Sequence, residues 1–157
     1  MPLTQRWYQP WLALAGLSLI ANGAWEWFAM SSYAMPVGGA SAQGAHAGCV
    51  VATVGDVGIT LVSYAAAAVI GTRQWLRQPR ATTLGICLAL GVLITILFEV
   101  VNVHVFHRWS YGAAMPIVAG IGLLPIVQWL VLPPLVLWSA RRYLAGTAAH
   151  HPLQENR

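Results

Sequence analysis

The sequence contains no lysine, one aspartate and two cysteines, and charged residues fill only 8% of its 157 positions. A soluble domain carries roughly 25% charge, so a water-soluble globule is a poor fit. Eight arginines against four acids leave a formal charge of +4. Those cations are spread along the whole chain and cannot form the dense basic face that nucleic acid requires. The run H-E-x-x-H and paired C-x-x-C motifs are both missing, which leaves no defined zinc site. Cys49 and Cys87 fall at opposite ends of neighbouring apolar runs, too far apart for a disulfide.

Apolar residues are abundant instead, at 58%. They gather in four runs, 11–28, 49–71, 83–105 and 116–138, each long enough to cross a hydrocarbon core of about 30 Å at about 1.5 Å per residue. The expected fold is all-α: an integral membrane four-helix bundle forming a single transmembrane domain over 1–157, with a disordered tail at 144–157. The first run follows Arg6 as a secretory signal would, but it continues through Trp25, Trp27 and Phe28 and reads as a retained helix. The loop 31–48 is uncharged and rich in Gly and Ala, suited to a flexible flap or a partly re-entrant segment.

The arginines set an orientation, because cationic loops stay cytoplasmic during insertion. Arg6, then Arg73, Arg77 and Arg80, then Arg141, Arg142 and Arg157 fall on one side of a four-span arrangement. Arg108 alone falls on the other. Both termini are therefore expected in the cytoplasm, with loops 31–48 and 106–115 outside. Trp7, Trp11, Trp75, Trp138 and Tyr143 mark the inner interface. Trp25, Trp27, Tyr33, Trp109 and Tyr111 mark the outer one, and Trp129 lies near mid-span.

The acids carry the chemical information. Glu26, Asp56 and Glu99 lie inside predicted spans at a similar depth in the outer half, and only Glu155 sits in a tail. An acid near mid-membrane costs about 2.5–3.5 kcal/mol on insertion scales, so an intramembrane acid is a functional-site hypothesis by default. Helical spacing puts each of them on a polar stripe: Ser18, Asn22, Glu26 and Met30; Cys49, Thr53, Asp56, Thr60 and Ser63; Gly91, Thr95, Glu99 and Asn102. Lipid cannot satisfy such faces, so they are expected to meet at the bundle axis. No span contains an arginine, and three carboxylates cannot all remain ionised there without borrowed positive charge. The bland reading is interhelical glue, which suits Thr53, Thr60, Ser63, Thr95, Asn22 and Asn102 taken singly.

The expected ligand-binding set is therefore Glu26, Asp56 and Glu99 with Asn22, Asn102, Trp25, Trp109 and Gln128. For a metal ion the candidates are Glu26, Asp56, Glu99 and His104, although no motif specifies a cofactor. His104 is five residues past Glu99, about 140° around an α-helix, so it shares that face only if the helix ends early. His46 and Cys49 could add soft ligands at the outer mouth. His150 and His151 belong to a solvated tail. In the fourth run, Gly120, Gly122, Pro125, Pro133 and Pro134 break the helix pattern and free carbonyls. Gln128 is placed either to satisfy that backbone or to floor the acidic site.

The stretches WEW at 25–27, CVVATVGD at 49–56, RWSYGAAMP at 108–116 and GLLPIVQW at 122–129 resemble those of small four-span proteins of the bacterial inner membrane to which no activity is assigned. That resemblance implies a multi-pass inner-membrane location and transfers no mechanism. The function expected from the residues is capture or translocation of a cation, a proton or a cationic solute at an outward-facing carboxylate site. An alternative is an intramembrane acid/base enzyme acting on an isoprenoid-like lipid, with Glu26, Asp56 and Glu99 as its catalytic groups. Another is an accessory subunit whose polar face meets a membrane partner. The bilayer, a small cation or small-molecule ligand, and a second copy of the chain or another membrane protein are the expected partners.

Overall fold

The computed structural model describes residues 8–34, 42–72 and 75–149. Expectations that fall on Arg6, Trp7, Arg73, His150, His151, Glu155 and Arg157, and on the middle of the first long loop, lie outside the described residues.

The chain is mostly helical, with four long helices: α1 (Gln9–Ala29), α2 (Ala42–Ile70), α3 (Ala81–Val100) and α4 (Leu123–Ala149). Pro10 sits in the first turn of α1, where its missing N–H would have had no acceptor in any case. The segments His46–Ile70, Ala81–Val105 and Leu123–Thr147 are long and apolar enough to cross a membrane. Helix α1 is outside that group: its 21 residues suffice in length, but Asn22, Glu26 and three tryptophans dilute its apolarity.

Several boundaries differ from the sequence expectation. The fourth run, expected to be helical from 116, opens instead with a tight hairpin in which β3 (Ile117–Val118) pairs with β4 (Ile121–Gly122). Ala119 and Gly120, with φ of 51° and 79°, make the turn; positive φ at both central positions matches the twist of a two-residue hairpin. At its other end α4 runs on to Ala149, so the tail expected to be disordered from 144 is helical over its first residues, in a stretch rich in the strong helix formers Ala, Leu and Arg. Helix α2 begins at Ala42, taking the alanine-rich end of the expected loop into the helix.

The helices pack in a ring, α1 against α2 and α4, and α3 against α2 and α4. This is the up-down-up-down solution that short connections favour. We call the end that carries the α1–α2 and α3–α4 connections the upper end. One seam per helix faces the axis at helical spacing: Leu14, Ser18 and Asn22 on α1, and Thr83, Cys87, Gly91, Thr95 and Glu99 on α3.

The lower half of the axis is apolar. Leu14, Tyr64, Ala67, Cys87, Leu137 and Ala140 are all but inaccessible there and share one core with Trp75 and Leu144. Trp11 meets the Tyr64 ring edge-on at 5.0 Å, and Trp75 donates its indole N–H to the Tyr64 carbonyl at 3.4 Å. Buried polar side chains lie above this core, Thr83 at the foot of α3 excepted. The outward faces carry large apolar side chains such as Ile20, Phe28, Val51, Val69 and Phe98.

At the upper end, β1 (Tyr33–Ala34) pairs antiparallel with β2 (Ser110–Tyr111), matching Tyr33 with Tyr111 and Ala34 with Ser110. Gly112 extends the clasp by donating its N–H to the Ser32 carbonyl at 2.9 Å. A Cβ at Gly112 would stand 3.1 Å from that same oxygen, so the two connections approach closely because this residue lacks one.

Candidate functional site

Helix α1 supplies the lower polar rung. Asn22 Nδ2 donates to the Ser18 carbonyl at 2.9 Å and to Ser18 Oγ at 2.8 Å. Ser18 Oγ in turn donates to Thr60 Oγ1 of α2 at 3.1 Å, and Thr60 Oγ1 to the Asp56 carbonyl at 2.8 Å. Helix α4 closes the network: Gln128 Nε2 donates to Asn22 Oδ1 at 2.9 Å and to Asp56 Oδ2 at 2.7 Å. Both protons of one amide are thus spent on two helices, and three helices share a single set of buried and half-buried polar bonds. Removing any member leaves another unsatisfied in a low-dielectric setting.

Glu26 stands one turn above Asn22, beside Gln128 and within electrostatic reach of both Asp56 and Glu99. Glu99 is 7% exposed and accepts a hydrogen bond from the Tyr111 hydroxyl at 2.8 Å. The Trp109 indole N–H is directed at Glu99 as well but does not close a hydrogen bond, and it remains buried without an acceptor, as does that of Trp25. The three acids therefore gather in one region from three helices, and their hydrogen-bond donors are neutral.

Arg108 does not neutralise them. Its guanidinium donates to Asn102 Oδ1 at 3.3 Å and lies 5.1 Å from the centre of the Phe106 ring. Asn102 meanwhile donates to the Phe98 carbonyl at 2.8 Å. Among the described residues, no group of three or more His, Cys, Asp or Glu side chains is assembled to hold a metal ion. Glu26, Asp56, Glu99 and His104 share a region but not a coordination sphere.

The end of α3 is not α-helical. Val101–Val105 forms a π turn, which adds about one residue per turn and is frequent at functional sites. A fifth residue then returns near the starting face. His104 accordingly comes within electrostatic reach of Glu99, contrary to its expected displacement around an α-helix, and its Nε2 contacts the Gly120 carbonyl at 3.1 Å.

Tyrosines complete the site, and the sequence reading assigned both of them to the membrane interface. Tyr33 meets Trp109 edge-on at 6.4 Å and Tyr111 at 6.2 Å between ring centres, so three aromatic rings roof the acids. Burial, followed by the charges of Glu99 and Glu26, pushes the Tyr33 phenol well above its ordinary value. Burial and Glu99 push that of Tyr111 up to about 12. Trp27 lies aside from this roof, stacked on His46 at 5.3 Å. The signal that marks the tyrosines is the β1–β2 clasp, which brings together residues 78 apart in sequence.

Below the acids, Trp129 is 2% exposed and the six-membered part of its ring abuts Gly91; any Cβ there would overlap it. Cys49 is half-buried near the upper end of α2 and donates nothing to the acids; its carbonyl accepts from Thr53 Oγ1 at 2.8 Å.

No family model matches the chain, and no curated protein or solved structure matches it.

Proposed function

We propose that the chain is a multi-pass protein of the bacterial inner membrane that captures a small organic cation of the ammonium type from the outer side. The carrying observation is the grouping of Glu26, Asp56 and Glu99 under the rings of Tyr33, Trp109 and Tyr111, with Gln128 and Tyr111 as neutral donors and Arg108 engaged elsewhere. Carboxylates supply the countercharge, and aromatic faces attract a desolvated ammonium by cation–π contact. The lack of a shared coordination sphere favours such a cation over a bare metal ion.

The membrane placement is supported by the three long apolar helices and by the apolar outward faces. Arg77, Arg80, Arg141 and Arg142 at the lower end, against Arg108 at the upper end, support a cytoplasmic lower end and cytoplasmic termini. The tight lower core leaves the clasped upper end as the side of entry, so capture is the activity this conformation favours and passage inward requires the core to part.

Thermal unfolding of the purified protein in detergent tests the site, with tetramethylammonium, Na⁺ and Mg²⁺ as probes. Stabilisation by tetramethylammonium that rises with concentration and disappears in Asp56→Asn and Glu99→Gln is the expected result. Preferential stabilisation by Mg²⁺ would replace the organic cation with a metal. Amide variants of all three acids that match the wild type in every titration would reduce the acids to packing groups.

A further inference from the structure

The arginine end of the bundle has its own unmet charge. A cavity of about 490 Å³ opens between the end of α2 and the start of α3, lined by Arg77, Gln78, Arg80, Thr83 and Trp75 among others. Its size falls within the usual range of small-ligand sites. Among the described residues no acid faces it: Glu26, Asp56 and Glu99 occupy the opposite end of the bundle. Neither arginine has a carboxylate partner among the described residues.

Three further features give the cavity the chemistry of an anion site. Thr83, 5% exposed, is among the lining residues, and its hydroxyl has no hydrogen-bond partner among the described residues. Arg80 caps α3 without a side-chain cap bond, so the first N–H groups of that helix lack intrahelical acceptors and carry the positive end of its dipole. Gly71 brings the α2 terminus against Thr83, where a Cβ would stand 3.1 Å from its Oγ1. Two guanidinium forks, a free hydroxyl and a helix N-terminus around one opening suit an oxyanion with several acceptor oxygens, which guanidinium pairs bind bidentately.

We infer that the cavity between α2 and α3 binds a phosphate group through Arg77, Arg80 and Thr83, and that the group is the headgroup of an anionic phospholipid in the facing leaflet. The phosphate chemistry follows from the cavity alone. Its lipid source rests on the membrane placement proposed above, in which this end faces the anionic cytoplasmic leaflet. The bound lipid would fasten the α2–α3 turn to the leaflet.

Native mass spectrometry of the protein from nanodiscs of phosphatidylcholine, with and without phosphatidylglycerol, tests the source. The expected result is a retained phosphatidylglycerol adduct whose affinity falls roughly thirtyfold in the double variant Arg77→Gln with Arg80→Gln, at about 1 kcal/mol per basic side chain near an anionic surface. Thr83→Val should weaken it further. A second measurement needs no variant: phosphatidylglycerol or inorganic phosphate should shield Arg77 and Arg80, but not Arg141 and Arg142, from phenylglyoxal. Shielding by inorganic phosphate with no preference for phosphatidylglycerol would keep the phosphate site and assign it to a soluble ligand. Equal modification of all four arginines under every condition would overturn the site. Failure of the membrane placement reads out separately, as release of the chain from membranes by alkaline carbonate, and leaves the phosphate arm standing.

Discussion

Gln128 Nε2 sits 2.7 Å from Asp56 Oδ2 and 2.9 Å from Asn22 Oδ1, so one α4 amide holds the polar faces of α1 and α2 together. Replacing it with leucine keeps the volume and strands two acceptors, a buried one on Asn22 and a half-buried one on Asp56. Gln128→Leu should cost about 1–3 kcal/mol in detergent unfolding, the usual penalty for an orphaned buried group. A double-mutant cycle with Asp56→Asn should show coupling beyond additivity. Additive effects would mean that the two side chains do not share a bond.

The missing side chain of Gly91 on α3 makes room for the Trp129 ring of α4. Gly91→Ala forces the indole to move, and overpacking of this kind costs about 1–3 kcal/mol. Trp129→Phe in the same chain should recover much of the loss by removing the ring edge that collides. Failure of the second change to rescue the first would place the strain elsewhere.

Tyr111 titrates late because burial and Glu99 disfavour its phenolate, with a value of about 12 against an ordinary 10.0. The unfolded chain therefore loses that proton first as pH rises. Stability should be unaffected by this group below about pH 10 and should fall between about pH 10 and 12. Tyr111→Phe should flatten that limb of the stability curve and remove one late step from the phenolate absorbance titration. Gly122→Ala, whose Cβ would press within 2.7 Å of the Tyr111 ring, should displace the hydroxyl from Glu99 and bring the step to lower pH.

Orientation has a simple readout. A membrane-impermeant maleimide applied to intact cells should label Cys49, half-buried near the upper end, and spare Cys87, which is 2% exposed in the lower core. Labelling of Cys87 alone would turn the carboxylates toward the cytoplasm.

Much of this arrangement is written locally. The stripes through Ser18 and Asn22, and through Thr95 and Glu99, need only helical periodicity to reach the axis, and the acids stand out because each interrupts an apolar run. The clasp is not legible in that way. Strands of two residues have no period to detect, and the partnership of Tyr33 with Tyr111 depends on how two distant connections meet. His104 departs from its expected position for a related reason: a count around the helix that holds for α geometry is altered by one π turn. Helix α1 also shows the limit of hydropathy, since the polar and tryptophan content it brings to the site is what keeps it outside the group apolar enough to cross a membrane.

The Tyr33–Tyr111 pairing fastens the start of the α1–α2 connection to the α3–α4 connection. On the capture reading proposed above, any exchange that parts the two connections must break a backbone ladder only two rungs long. Residence time would then be a property of main-chain pairing as much as of the affinity of the carboxylates.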